Sequence, residues 1–301
     1  MTTPTFTSQR TLTLTAWALM LLASLLPDII CREFFGGVPG WLFPVRLIIL
    51  AVFFALTFLL KIIRTMRAFS VVLFTLLAAP ALLNRFNYEI PFLTKLLGNG
   101  SFISSMQPEQ FGKLAVSLAM IAVLFLLGFR FKSMFLVPGK LNAPITPVKW
   151  LGFPKPESWI RFGGQYSIYL SAGVGLVLWF TSRTPTNIMT QTLYLLPAIL
   201  LMAAMNAFNE EVLYRSAVLA PLESVIGKLH TWGISAAFFG IAHFYGVPYG
   251  WLGILLAGFM GWILTKAMLE TRGFCWTWWI HFLQDVVIFF FLAAGTVVPG
   301  G

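Results

Sequence analysis

Asn209-Glu210-Glu211-Val212-Leu213-Tyr214-Arg215 stands at the end of an apolar run over about residues 190–209. About 20 mostly apolar residues are what a helix needs to cross the hydrocarbon core of a bilayer. Two adjacent carboxylates and an arginine are not what such a helix carries for packing. Ionisable groups at membrane depth cost roughly 3 kcal/mol each on insertion scales, so a cluster of them points to a task.

The rest of the 301-residue chain agrees with a membrane setting: 58% of residues are hydrophobic and 10% are charged, with a mean hydropathy of +0.85. A soluble domain of this length could not cover so much apolar surface with so few charges. The expected fold is all-α, a polytopic transmembrane bundle of eight or nine spans near 12–30, 42–61, 68–83, 113–130, 166–181, 190–209, 231–245, 250–268 and 275–296. The first segment lacks a clean small-x-small cleavage site before Pro27 and is read as an uncleaved span rather than a signal peptide. Cys31 and Cys275 fit no metal or redox spacing and indicate no disulfide framework.

The net charge of +10 is not a nucleic-acid signal here. Lys61, Arg64 and Arg67 follow the second span. Arg130, Lys132, Lys140, Lys149, Lys155 and Arg161 crowd the loop after the fourth. Lys228 follows the sixth, and Lys266 and Arg272 end the eighth. These are alternate connections, which the positive-inside rule assigns to the cytoplasm; nine spans then put the N-terminus inside and the C-terminus outside.

Three parts are expected: N-terminal transmembrane helices over 1–131, without paired ionisable residues at mid-depth; a Pro- and Lys-rich connector over 132–165; and a core over 166–301 that holds every candidate for chemistry. Pro138, Pro144, Pro147, Pro154 and Pro156 bar a regular helix from the connector, which reads as a surface loop. Residues 89–110, with Gly98 and Gly100, read as a loop or short interfacial helix.

Glu211 and Arg215 are four apart and share a helical face in the orientation that suits an ion pair, leaving Glu210 to face elsewhere. The plain alternative is a helix end emerging among headgroups. The chain has 3 histidines, and two of them, His243 and His281, lie in apolar segments. His243 shares a face with Phe239 and precedes Gly246-Val247-Pro248-Tyr249-Gly250, a helix breaker. Irregular backbone at depth is tolerated only against protein or a wet cavity. His281 and Asp285 stack on one face of the last span, where they either perform chemistry or glue helices together. Trp276, Trp278 and Trp279 read as an interfacial aromatic belt. If the three helices converge, a carboxylate beside one histidine and a second histidine–carboxylate pair form a layout for activating water and holding an oxyanion. That is hydrolysis of an amide.

Glu210-Glu211-x-x-x-Arg215, Phe239-x-x-x-His243 and His281-x-x-x-Asp285 resemble, in order and spacing, the EExxxR, FxxxH and HxxxN/D motifs of the CPBP family of intramembrane proteases. This is the CAAX- and bacteriocin-processing group, also called Abi proteins, and the match covers roughly residues 190–290. The resemblance implies a glutamic-type intramembrane endopeptidase acting on membrane-associated or lipid-modified peptides or proteins. In it Glu210 and His243 would activate water, His281 and residue 285 would form the oxyanion hole, and Glu211 and Arg215 would hold the site. The best-studied pattern has asparagine at the position of Asp285; an aspartate there must be protonated or must orient His281 instead. Such proteins have been labelled metalloproteases, but HExxH spacing is absent, so no cofactor is expected and zinc is the disfavoured option. Expected partners are a peptide or protein substrate and the lipid bilayer, with no nucleic acid; the bacterial inner membrane is the expected location. The rivals are a transporter using the same groups as a proton relay, and a non-catalytic immunity or scaffold protein.

Overall fold

The computed structural model describes residues 6–83, 85–97 and 100–297. Gly98, part of the expected loop at 89–110, lies outside them. The helices run in the order α1 (Phe6–Ala23), α2 (Leu26–Phe35), α3 (Leu42–Leu59), α4 (Arg67–Leu83), α5 (Pro91–Leu97), α6 (Ser101–Leu126), α7 (Trp159–Ser182), α8 (Thr186–Thr192), α9 (Leu196–Glu211), α10 (Ala217–Ile226), α11 (Lys228–Ala242), α12 (Trp251–Thr271) and α13 (Cys275–Ala294). A π-helical turn, Val212–Ser216, joins α9 to α10.

The all-α membrane bundle is observed, with fewer crossings than expected. Among the described residues six helices are long and apolar enough to span, or seven if the bent pair α1–α2 is one span. Two of the expected spans fall short. The one at 231–245 is α11, only 15 residues long and therefore ~22 Å at 1.5 Å per residue, against a hydrocarbon core of about 30 Å. The one at 166–181 is α7, whose first half carries Gly163, Gly164, Gln165, Tyr166 and Ser167; it is long, with 24 residues, but is not among the six.

The 55° bend between α1 and α2 falls where Pro27, in the first turn of α2, has no N–H to give Ala23 O. Carbonyls at a helix end lack intrahelical partners, and here the buried Arg46 of α3 reaches them. Its Nε donates to Leu22 O at 2.8 Å and its Nη2 to Ala23 O at 2.9 Å and Ser24 O at 2.5 Å, while Nη1 pairs with Asp28.

Two sequence expectations about loops hold only in part. Of residues 89–110, read as a loop or short interfacial helix, Pro91–Leu97 is the short helix α5, while 101–110 are the first turns of α6, which Pro108 does not break. Residues 159–165 of the expected connector belong to α7, and what precedes them is no free surface loop. It is a strap pinned across the α12–α13 turn. Lys140 N donates to Thr271 O at 2.8 Å and Phe274 N to Val137 O at 2.7 Å. The buried Lys266–Glu270 pair, 2.6 Å apart, binds it from below: Lys266 Nζ donates to Thr146 O at 2.9 Å, and Glu270 accepts from Thr146 N and the Trp159 indole. Ala143, Ile145, Phe153 and Trp159 then close an apolar cluster with α12 and α13. The expected aromatic belt is also partly spent on protein: the Trp276 and Trp278 indoles donate to Leu141 O and Ala204 O.

Strap and turn meet backbone to backbone at Gly139 and Gly273. A Cβ on Gly139 would come within 2.7 Å of Gly273 Cα, and one on Gly273 would overlap Gly139 and Pro138. Gly273→Ala should therefore destabilise by about 1–3 kcal/mol, the usual range for overpacking. Gly164→Ala, which meets open space on α7, should be neutral or slightly stabilising. Thermal melting of the two purified variants in detergent checks the contrast.

Candidate active site

The helix carrying Glu210 and Glu211 does not end there. Residues Thr186–Ile226 form one continuous apolar stretch of 41 residues, so the carboxylates are enclosed by helix on both sides rather than emerging among headgroups. Glu211 and Arg215 are completely buried. The widened turn directly after Glu211 is of a type frequent at functional sites, and Ser235 of α11 ties it down by donating to Tyr214 O at 2.8 Å.

The expected Glu211–Arg215 pair is present, with Nη1 2.9 Å from Oε1. The contact is Coulombic rather than a well-directed hydrogen bond, because none of the three guanidinium nitrogens has a hydrogen-bond partner. The guanidinium instead lies over the Phe239 ring, 3.9 Å from its centroid, a desolvated cation–π contact worth about 2 kcal/mol. Gly261 of α12 permits this stack: a Cβ there would sit 3.1 Å from the Phe239 ring and 3.3 Å from Nη2.

Phe239 is the hub of the site. Besides Arg215 it meets His243 at 4.3 Å, Tyr214 at 5.4 Å and His281 edge-on at 5.8 Å between ring centroids. Close packing of α11 on α12 through Gly240 and Gly258 sets its depth; a Cβ on Gly240 would be 2.7 Å from Ile254 O.

His243 occupies the C-cap of α11, where the breaker ends the helix with φ −99° and ψ 11°. Its Nδ1 lies 2.8 Å from Phe239 O. A carbonyl can only accept, so Nδ1 carries a proton and Nε2 is the nitrogen left for chemistry. The following turn contains a cis Val247-Pro248 bond and is anchored by Tyr249, whose hydroxyl donates to Glu33 at 2.7 Å. That bond to a carboxylate raises the Tyr249 phenol to about 12.

His281 is aimed by the same logic. Its Nδ1 is 2.7 Å from Glu211 Oε1, so Nε2 faces Glu210 Oε2 at 3.7 Å and Asp285 Oδ2 at 3.6 Å, distances too long for direct hydrogen bonds. Asp285 Oδ2 instead accepts from Asn206 Nδ2 at 2.9 Å. Glu210, Glu211, His281 and Asp285 therefore meet in one buried cluster from α9 and α13. His243 reaches it from α11 through Phe239, within electrostatic range of Glu210.

Two members were missed in the sequence. Lys113 of α6 sits 3.3 Å from Glu210 Oε1 and 2.9 Å from Asn206 Oδ1. The expectation that residues 1–131 hold no paired ionisable group at mid-depth is thereby corrected. The span was expected to start at 113, which made the lysine a flanking charge; α6 begins twelve residues earlier and makes it central. The available signal was a polar stripe, Gln107, Gln110, Lys113 and Ser117, spaced for one helical face. Gln107 is held by Thr94 and Ile90 O at α5, while the rest meets α9: Asn209 donates to Gln110 O and Ser117 to Asn209 O. Asn206 lies one turn before Glu210 and could have been read from that spacing alone.

A zinc site needs three or four donors around one point at about 2.0–2.2 Å. No three His, Cys, Asp or Glu side chains among the described residues are so arranged, and the ammonium of Lys113 already occupies one oxygen of Glu210.

Residues 192–287 match the family model described as type II CAAX prenyl endopeptidase Rce1-like, so the resemblance read from the motifs holds over this segment. No curated protein and no solved structure matches the chain. The matched segment contains α9 to α12 and most of α13; it does not include Lys113.

Removing one member of a buried ion pair strands the other and costs about 3–5 kcal/mol. Arg215→Met should lower stability by that amount, and adding Glu211→Gln should recover part of it. Melting of the single and double variants in detergent measures the coupling; additive losses would contradict the pairing.

Proposed function

We propose that this chain is an intramembrane endopeptidase in which Glu210 and His243 activate a water molecule against a peptide bond. The observation that carries the reading is the convergence of Glu210 Oε2 and Asp285 Oδ2 on His281 Nε2, at 3.7 and 3.6 Å, in a cluster that Phe239 connects to His243. The family match supplies the reaction class.

In this mechanism Glu210 Oε2, which has no protein partner, takes the proton from water as the oxygen attacks the carbonyl carbon. His243 Nε2 accepts the second hydrogen of the same water and orients it, and protonated Glu210 then gives its proton to the leaving amine. His281, fixed through Nδ1 by Glu211, presents its imidazolium Nε2–H to the developing oxyanion. Asp285 keeps its charge matched to the Asn206 amide and to His281 and serves to orient them.

Substrates are taken to be membrane-associated or lipid-modified peptides or proteins, presented with their backbone locally unwound because a helical peptide bond is shielded. An apolar groove of about 380 Å³, lined by Leu114, Ala204, Met205, Phe208, Phe274 and Trp278, suits an apolar segment or lipid tail of such a substrate. The bacterial inner membrane is the location that fits the reading.

Glu210→Ala and His243→Ala should each reduce cleavage by about 10²–10⁴-fold, the usual contribution of a general acid or base, while the protein stays folded and inserted. The assay uses lipidated and unlipidated quenched peptides in proteoliposomes. Full activity in purified Glu210→Ala would refute the mechanism. Peptides co-purifying with Glu210→Gln would identify the substrate.

A further inference from the structure

We infer that Lys113 is a positioning residue for Glu210, pinning Oε1 so that Oε2 is the oxygen presented to water. The inference rests on the proteolytic reading above and adds to it a residue from outside the matched segment.

An ammonium has three N–H groups and no acceptor. Lys113 Nζ meets three acceptors: Glu109 Oε1 at 2.9 Å, Asn206 Oδ1 at 2.9 Å and Glu210 Oε1 at 3.3 Å. Two of its hydrogens are given to Asn206 and Glu210, and the Glu109 carboxylate pairs with the rest of the ammonium, so the lysine is surrounded by its own partners rather than turned toward a substrate oxyanion. Its role is therefore to hold.

What it holds follows from the two oxygens of Glu210. Oε1 is bound to Lys113, whereas Oε2 is buried with no hydrogen-bond partner and faces His281 Nε2 at 3.7 Å. A glutamate side chain turns about three bonds, and an untethered carboxylate in this cavity would exchange its oxygens and tilt. A misplacement of about 1 Å in a reacting group can cost about 100-fold in rate. Fixing one oxygen removes that freedom.

The same ammonium fixes Asn206. The amide must turn Oδ1 toward Lys113 and Nδ2 toward Asp285 Oδ2, 2.9 Å away, and only one of its two flip states satisfies both. Lys113 thus sets the geometry of Glu210 directly and of Asp285 through Asn206. Glu109, with its side chain 47% exposed, anchors the lysine from outside and touches none of the reacting groups.

The test uses the full-length protein in detergent and a farnesylated, quenched-fluorescence peptide with a C-terminal CAAX sequence. Lys113→Met should lower kcat by about 100-fold with KM within about threefold. Lys113→Arg should keep at least a tenth of the parent kcat, since it retains the charge with a different donor geometry, and Glu109→Gln should stay within about twofold. Melting is measured in parallel: the double variant Lys113→Met/Glu210→Gln should melt no lower than the less stable of its two single variants, because it strands no charge.

A Lys113→Met kcat within threefold of the parent overturns the inference, as does equal loss in the Met and Arg variants with raised KM. Additive melting losses in the double variant overturn it as well, even if Lys113→Met alone is too unstable to assay. If the parent cleaves no peptide at all, the proteolytic reading falls, while the melting cycle still decides whether Lys113 holds Glu210.

Discussion

Charge without water is the constraint on which this site is built. Glu211 and Arg215 are fully enclosed, and burying them apart would cost far more than their pairing returns. Their surroundings are organised accordingly. The His281 imidazole takes one carboxylate oxygen, the face of Phe239 takes the guanidinium, and Gly261 leaves the room for that stack. The widened turn at Val212–Ser216 places both charges where these partners stand. Once Phe239 is fixed by Arg215, it fixes in turn the two histidine rings that pack on it. Glu210 and the two histidines, the groups proposed to react, are thus positioned by a structural ion pair adjoining Glu210 in sequence.

The cluster is assembled from more of the chain than the motifs span. The polar stripe of α6 packs on α9 and delivers a cation to Glu210. At another edge, the strap between α6 and α7 is pinned over the α12–α13 turn by Lys266, Glu270 and the facing glycines. The helix carrying His281 and Asp285 is therefore held from its N-terminal end by a segment whose only helical element is the 3-10 turn Lys149–Leu151. Proline in that segment does what proline does elsewhere: it forbids helix. The hydrogen bonds that a helix would have made internally are made instead to the turn it covers.

The sequence was most legible where periodicity and chemistry coincided. The four-residue intervals Glu211–Arg215, Phe239–His243 and His281–Asp285 all correspond to contacts in the structure, and the break after His243 is where α11 ends. Boundaries were less legible, and one boundary mattered. Hydropathy starts the fourth span at residue 113 because Gln107, Pro108, Glu109 and Gln110 depress it. The helix nevertheless runs from Ser101, since its polar stripe is buried against protein, Gln107 on α5 and Lys113 and Ser117 on α9, rather than left to water. A window average cannot see a partner that lies about ninety residues away. The same limit made the connector look solvated: its lysines and prolines carry no mark of the backbone bonds to Thr271 and Phe274 that pin it. The span count of eight or nine is not reached for a related reason: a hydropathy window reads across helix ends, whereas α11 is only 15 residues long and α7, with its polar first half, is not among the six candidate spans.

The shortness of α11 has a consequence for the lipid around it. A helix of about 22 Å in a hydrocarbon layer of about 30 Å is a negative hydrophobic mismatch, which a bilayer meets by thinning locally or by admitting water at the helix end. The end that would draw such a defect inward is the turn at His243, with its exposed Tyr245 and Tyr249. On the proteolytic reading, membrane deformation at that point would shorten the path over which a substrate backbone gives up its hydration, so the dimension of one helix would set both the depth of the candidate site and the ease of reaching it.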